Sequence, residues 1–80
     1  MNPEERDRLY KAIRGRLSAG DSIKAFAGRI GLSRTTIYSW TGPEQVNPEW
    51  ATLRLVAHGL GLEMWELVRE IEHPAYMRRR

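Results

Sequence analysis

Residues 22–42 constrain the fold most, because their pattern predicts two short helices joined by one tight turn. The apolar residues of the first half share one helical face, and they are Ile23, Phe26, Ala27 and Ile30. Gly31 can adopt the left-handed conformation that ends a helix, and Ser33 can cap the next one. Leu32 and Ile37 have the spacing of a hydrophobic staple. The turn is therefore expected to have a defined shape.

The second helix of this pair has an apolar inner face and a polar outer face. Ile37 and Trp40 form the inner face. The outer face carries four hydrogen-bonding side chains, Arg34, Thr35, Tyr38 and Ser39. A helix that is held along one edge and polar along the other suits the DNA major groove, which admits one helix.

One further helix is predicted before this pair. Asn2 can cap it, Pro3 suits its first position, and Gly20 is expected to end it. Its buried stripe is predicted to consist of Leu9, Ile13 and Leu17.

Two more helices are predicted after the pair. The fourth is expected to open with Asn47 as its cap and Pro48 as its first residue. Its predicted buried stripe is Trp50, Leu53, Val56, Ala57 and Leu60. The last helix starts near Glu63 and Pro74 limits its length, and its apolar face is Met64, Leu67, Val68 and Ile71. The sequence therefore predicts an all-α chain with five helices.

The order of several short motifs is more specific than any one of them. The motifs are Phe26-Ala27, Gly31-Leu32-Ser33, Thr36-Ile37, Asn47-Pro48, Thr52-Leu53 and Leu60-Gly61-Leu62. Over residues 22–68 this set resembles the Cro and phage-repressor (Xre-type) helix-turn-helix family. The resemblance implies a compact, five-helix, lambda-repressor-like DNA-binding domain. It is expected over residues 1–74, with the helix-turn-helix at 22–41 and a basic tail at 75–80.

The resemblance also implies which residues contact DNA. The expected base-contacting residues are Arg34, Thr35, Tyr38 and Ser39. The expected phosphate-contacting residues are Ser22, Lys24, Thr36, Asn47 and Arg16. Ser22, Thr36 and Asn47 suit helix caps equally well. The family usually has an arginine near the end of helix 1, and both Arg14 and Arg16 fit that place.

The charge is polarised along the chain. Residues 8–43 contain seven basic residues and one acidic residue, whereas residues 44–72 contain two basic and six acidic residues. A basic half that includes the predicted helix pair fits attraction to phosphate, since neutralising phosphates releases condensed counterions. A solvated helix face is the competing explanation for any single lysine or arginine.

Composition argues against several other classes of protein. The chain has no cysteine, so a disulfide framework and a cysteine-based zinc site are excluded. His58 and His73 are far apart and have no partner at a metal-ligand spacing, and no phosphate loop or nucleophile elbow occurs. We expect no enzyme activity, no cofactor and no small-molecule ligand. Without a long apolar run we expect no membrane span and a cytoplasmic location.

The expected partners are double-stranded DNA and a second copy of the chain, because a symmetric dimer matches a palindromic site. Trp65 lies off the apolar stripe of the last helix, and the predicted dimer surface is Trp65, Val68 and Ile71. The sequence thus predicts a homodimeric transcriptional regulator. A protein-docking module on the same fold, such as an antitoxin or an inhibitor of transcription, is the alternative. Ile23, which replaces a family glutamine, and the acidic second half keep that alternative open.

Overall fold

The computed structural model describes residues 1–41 and 46–72. These two stretches form five α-helices and no strand, namely α1 (Pro3–Arg16), α2 (Ile23–Arg29), α3 (Arg34–Tyr38), α4 (Trp50–Gly59) and α5 (Met64–Glu72). Over the described residues, the prediction of an all-α fold with five helices is confirmed. Among these helices none has both the length and the apolar character that crossing a membrane requires. Gly42 and Pro43, near which the second helix of the pair is expected to end, lie outside the described residues, as do Pro74 and the tail at 75–80.

The start of α1 is a complete capping box. The Asn2 Oδ1 atom accepts a hydrogen bond from the Glu5 backbone at 2.8 Å, and the Asn2 backbone donates to Glu5 Oε1 at 2.9 Å. Pro3 follows as the first helical residue, as predicted. Two orphan amides are satisfied reciprocally, which defines where the helix begins.

The end of α1 comes earlier than the sequence predicts. Gly20 was expected to end the helix, but α1 stops at Arg16 and Leu17 is extended, with φ −77° and ψ 140°. The Leu17 side chain packs against the core. Gly20 instead has φ 87° in the loop that leads to α2. Core packing of Leu17 therefore ends the helix before the glycine is reached.

The turn after α2 and the turn after α4 have the same geometry. Leu32 donates from its backbone to Ala27 O at 2.8 Å, and Leu62 donates to Ala57 O at 2.9 Å. Gly31 and Gly61 take the left-handed position in the two turns, with φ 82° and 73°. Both helices thus end in a Schellman motif, in which a residue without Cβ avoids strain.

Helices α2, α3 and α5 each begin with a hydrogen bond between a backbone amide and a nearby side chain. Ser33 Oγ accepts from the Thr36 backbone at 3.2 Å, which confirms it as the cap of α3. Glu63 donates from its backbone to Glu66 Oε1 at 2.8 Å before α5 begins. Ser22 caps α2 in the same way, by accepting from Ala25 at 3.0 Å.

The start of α4 differs from the prediction. Asn47 and Pro48 were expected at its cap and first position, but Glu49 is the N-cap residue, without a side-chain cap bond, and the helix begins at Trp50. The Asn47 side chain binds Arg6 of α1 instead and is not available to α4. Trp50, which was predicted in the buried stripe, is 56% exposed because it occupies the first turn on the outer side. The predicted start of α4 at Asn47 and Pro48 and the predicted burial of Trp50 are therefore both wrong.

The core draws on all five helices. Its buried members are Leu9, Ile13, Ile23, Phe26, Ala27, Ile37, Trp40, Leu53, Val56, Ala57, Leu67 and Ile71. Arg8 and Arg16 bind α1 to α5, through the Ile71 carbonyl and the Glu70 carboxylate respectively. Helix α3 contributes Ile37, and Trp40 follows two residues after the end of the helix. The position of α3 depends on these two buried side chains.

Gly59 of α4 packs closely against Phe26 of α2 and Ile30 at its end. A Cβ atom there would clash with Ile30 Cγ2 and lie 3.1 Å from Phe26 Cε1. Gly28 is the natural control, because a Cβ at this other helical glycine would meet nothing within 4 Å.

We expect Gly59→Ala to lower the free energy of unfolding by about 1–3 kcal/mol, because the packed, β-branched Ile30 must shift. Gly28→Ala should instead raise it by up to about 1 kcal/mol through helix propensity. Urea denaturation followed by tryptophan fluorescence measures both. Equal effects of the two substitutions would contradict the close contact.

Candidate nucleic-acid interface

Helix α3 presents three of its four predicted base-contacting side chains to solvent. Arg34, Thr35 and Tyr38 are exposed, while Ile37 and Trp40 are buried beneath them. Within the part of the chain that the structure describes, the side chains of Arg34 and Thr35 have no hydrogen-bond or ion-pair partner. Their donors are therefore available to a ligand.

Ser39 is placed differently from the other three. It is half-buried and caps the C-terminal end of α3, and its hydroxyl donates to Thr36 O at 2.6 Å. The proton of this hydroxyl is committed to the backbone, so only acceptor capacity remains. Ser39 thus lies at the edge of the exposed face of α3.

Tyr38 contacts an aromatic residue of another helix. Its ring centroid lies 6.1 Å from that of Tyr10 in α1, and the two rings are tilted by 43°. Tyr10 is half-buried and also packs against the core. The sequence does not predict this contact, because nothing in the spacing along the chain relates residue 10 to residue 38.

Most of the predicted phosphate-contacting side chains already have partners. Ser22 Oγ caps α2, and Thr36 Oγ1 lies 3.1 Å from Ser33 Oγ. Lys24 is exposed and, among the residues described, makes no side-chain hydrogen bond or ion pair. Within this set, Lys24 is the cation that a phosphate could reach directly.

The two arginines near the end of α1 lie on different flanks. Arg16 Nη1 is 3.3 Å from Glu70 Oε1 of α5. Arg14 follows Tyr10 by four residues and therefore shares the flank that contacts α3. It is exposed and has no side-chain partner among the described residues. Of the two candidates that the sequence left open, Arg14 is the one on the Tyr10 side of α1.

Asn47 has a structural partner. Arg6, which is only 6% exposed, donates from Nη1 to Asn47 Oδ1 and to Met1 O, the latter at 2.8 Å. This contact joins the segment before α4 to the start of α1. A buried guanidinium needs such acceptors, since desolvation without them is costly.

A shallow groove separates α2 from α3. It is lined by Lys24, Gly28, Leu32, Ser33, Arg34 and Thr35. Gly28 widens it, because no side chain projects from the middle of α2 at this point. The sequence predicts no role for Gly28, although an isolated glycine lowers the stability of a helix and is therefore unusual inside a helical pattern.

Trp65 is the centre of the predicted dimer surface. It is 60% exposed, and the Arg69 guanidinium lies 5.6 Å from its ring centroid. Val68 is half-buried. Ile71 is only 3% exposed, because it packs in the core between α5 and its neighbours. The assignment of Ile71 to an exposed patch is therefore wrong.

The surroundings of Trp65 carry both signs of charge. Arg16, Leu62, Trp65, Glu66, Arg69 and Glu70 line a small depression between α1 and α5. The sequence does not predict that Leu62, Glu66, Arg69 and Glu70 share this surface. Neither here nor in any other part of the described residues do three His, Asp or Glu side chains lie close enough together to hold a metal ion.

Comparisons with protein-family models, with curated proteins and with solved structures give no match. The likeness to the helix-turn-helix family therefore remains a proposal that depends on the motifs and the geometry of this chain.

The Arg6–Asn47 contact gives a test of what Asn47 does. We expect Asn47→Ala to lower the free energy of unfolding by about 1–3 kcal/mol, because a buried guanidinium loses an acceptor. Asn47→Ser should cost as much, since serine is a good helix cap but is too short to reach Arg6. Asn47→Asp, which keeps the acceptor, should retain the stability. Urea denaturation compares the three, and a fully stable Asn47→Ser variant would argue for capping instead.

Proposed function

We propose that this protein is a sequence-specific DNA-binding transcriptional regulator of the Cro and phage-repressor type, and that it binds a short palindromic site as a homodimer. In this proposal α2 and α3 form the helix-turn-helix, and α3 enters the major groove. The observation that carries the proposal is the two-sided nature of α3. Its apolar side is anchored by Ile37 and Trp40, and its polar side exposes Arg34, Thr35 and Tyr38.

The exposed side chains of α3 have the chemistry that base recognition requires. A guanidinium can donate two parallel hydrogen bonds to the O6 and N7 atoms of guanine, which discriminates between bases by about 1–3 kcal/mol. Arg34 lies in the first turn of α3, where the recognition helix of this class contacts base edges. Thr35, Tyr38 and Ser39 complete the proposed base-contacting set.

The availability of the basic side chains supports the same surface. Many cations in the basic half already pair with carboxylates, as Arg29 does with Asp21, Lys11 with Asp7 and Arg16 with Glu70. Lys24 and Arg14 are not paired in this way within the described residues. Lys24 also lines the groove beside Arg34. We therefore assign the phosphate contacts mainly to Lys24 and Arg14, with Ser22 and Thr36 at the helix starts.

The Trp65 surface supports the proposed homodimer. A two-fold interface brings the same patch of both copies together, so the patch must be complementary to itself. Beside the Arg16–Glu70 pair, the exposed tryptophan is flanked by Arg69 and Glu66, and these two opposite charges can meet each other's counterparts across the axis. Trp65 and Val68 remain the central residues of the proposed interface.

The first experiment is selection from random-sequence duplex DNA, with the wild type and the Arg34→Ala variant side by side. We expect the wild type to enrich a palindrome and Arg34→Ala to relax the preference at one position of each half-site, by about 1–3 kcal/mol. Thr41→Ala is a suitable control, because Thr41 is exposed just beyond α3 and, among the described residues, its hydroxyl bonds only to Tyr38 O at 3.0 Å.

Weak, steeply salt-dependent binding without an enriched sequence, and unaffected by Arg34→Ala, would contradict specific recognition. The basic half of the chain would then explain the binding as general phosphate attraction.

The homodimer is tested by Trp65→Glu. We expect this variant to fold normally, because the side chain is mostly exposed, but to sediment as a monomer and to bind the enriched site more weakly. Trp50→Glu is the matched control, since Trp50 is equally exposed but lies on α4. Analytical ultracentrifugation decides between the two surfaces. An unchanged profile for Trp65→Glu would refute the proposed interface.

A protein-docking module on the same fold is the second candidate function. The observation in its favour is that two large apolar side chains of α4, Trp50 and Leu55, are exposed to solvent. Three acidic residues of the second half, Glu66, Glu70 and Glu72, lie on α5. Loss of function by substitutions on α4 or α5, without any effect of Arg34→Ala, would favour this candidate.

A further inference from the structure

The contact between Tyr10 and Tyr38 joins α1 to the exposed face of α3. The ring centroids are 6.1 Å apart and the planes are tilted by 43°, which lies within the usual range for a favourable aromatic pair. Tyr10 is held in turn, because its other side packs against the core. The position of the Tyr38 ring is therefore tied to the core through Tyr10.

Tyr38 has little else to hold its side chain. It is 45% exposed, and among the described residues its phenol makes no hydrogen bond. An exposed tyrosine exchanges between rotamers and loses that freedom when it binds a ligand. A neighbour that restricts the ring before binding reduces this loss.

We propose that Tyr10 is a positioning residue for Tyr38, so that α1 takes part in DNA recognition without contacting a base itself. The inference rests on the proposed function, since it concerns how one member of the base-contacting set is oriented. Side chains of a recognition surface must be held within a narrow range of angles by their neighbours. Tyr10 fulfils this role for Tyr38.

The proposal predicts how substitution of Tyr10 should change the affinity for DNA. Tyr10 carries no charge, so its removal should leave the salt dependence of binding unchanged, in contrast to the loss of a phosphate contact. The effect should also depend on Tyr38, because Tyr10 acts through that ring. Substitution of Tyr10 should therefore matter only while Tyr38 is present.

A double-mutant cycle tests this dependence. The variants are Tyr10→Leu, Tyr38→Ala and the double variant, and each is titrated against a duplex of about 20 base pairs that carries the sequence enriched by the wild type. Leucine preserves most of the packing of residue 10 but removes the ring contact. Tyr10→Phe keeps the ring and serves as the conservative control. Leu17→Ala controls for general damage to α1, because Leu17 also packs half-buried against the core.

We expect Tyr10→Leu to weaken binding about two- to tenfold and to have no further effect in the Tyr38→Ala background. Tyr10→Phe should bind like the wild type, and the salt slope should be the same for all. Circular dichroism at the binding temperature verifies folding. Tyr10→Met, which also fills the space without a ring, replaces Tyr10→Leu in the cycle if the latter is unfolded.

Additive losses in the cycle would overturn the inference. A loss of binding for Leu17→Ala that equals the loss for Tyr10→Leu and depends on Tyr38 to the same extent would also overturn it. So would an unaffected Tyr38→Ala variant, even if Arg34→Ala loses binding and the proposed function stands. Failure of the wild type to enrich any sequence would overturn the inference and the proposed function together.

Discussion

The burial of Ile37 and Trp40 is the interaction on which the position of α3, and with it the exposed face of α3, depends. Helix α3 has five residues, and a helix of this length is unstable in water by itself. Its place is determined by Ile37 within it, by Trp40 just after it and by the Ser33 cap before it. The backbone from which α3 presents its polar side chains to solvent is therefore positioned by these contacts.

The two glycine turns explain how so short a helix acquires a defined direction. After α2, the Schellman motif ends one helix and delivers the chain to the Ser33 cap within two residues. The same turn recurs between α4 and α5. Because both turns use backbone hydrogen bonds and a left-handed glycine, their geometry depends little on the side chains around them. The hydrogen bonds within each turn thus set the angle between the two helices that it joins. Packing in the core then determines the arrangement in which the apolar faces of the helices meet.

The pairing of charges within the fold changes how the basic residues are understood. From the sequence alone, every basic residue in the basic half of the chain is an equal candidate to attract phosphate. In the structure, Arg29 binds Asp21 through two hydrogen bonds, and Arg16 binds Glu70 on another helix. Such exposed pairs contribute little to stability. Their larger consequence is that they distinguish the cations already used inside the protein from those that remain available to a partner.

The sequence alone determined the helical composition, both glycine turns and the caps at Asn2, Ser22 and Ser33, because these depend on contacts between residues close together in the chain. Tertiary structure decided where Asn47, Trp50, Arg16 and Ile71 lie. Their neighbours come from distant helices, such as Arg6 for Asn47 and Glu70 for Arg16. The contact of Tyr10 with Tyr38 belongs to the same class, since helical periodicity defines the face of a residue but not the helix that will cover it.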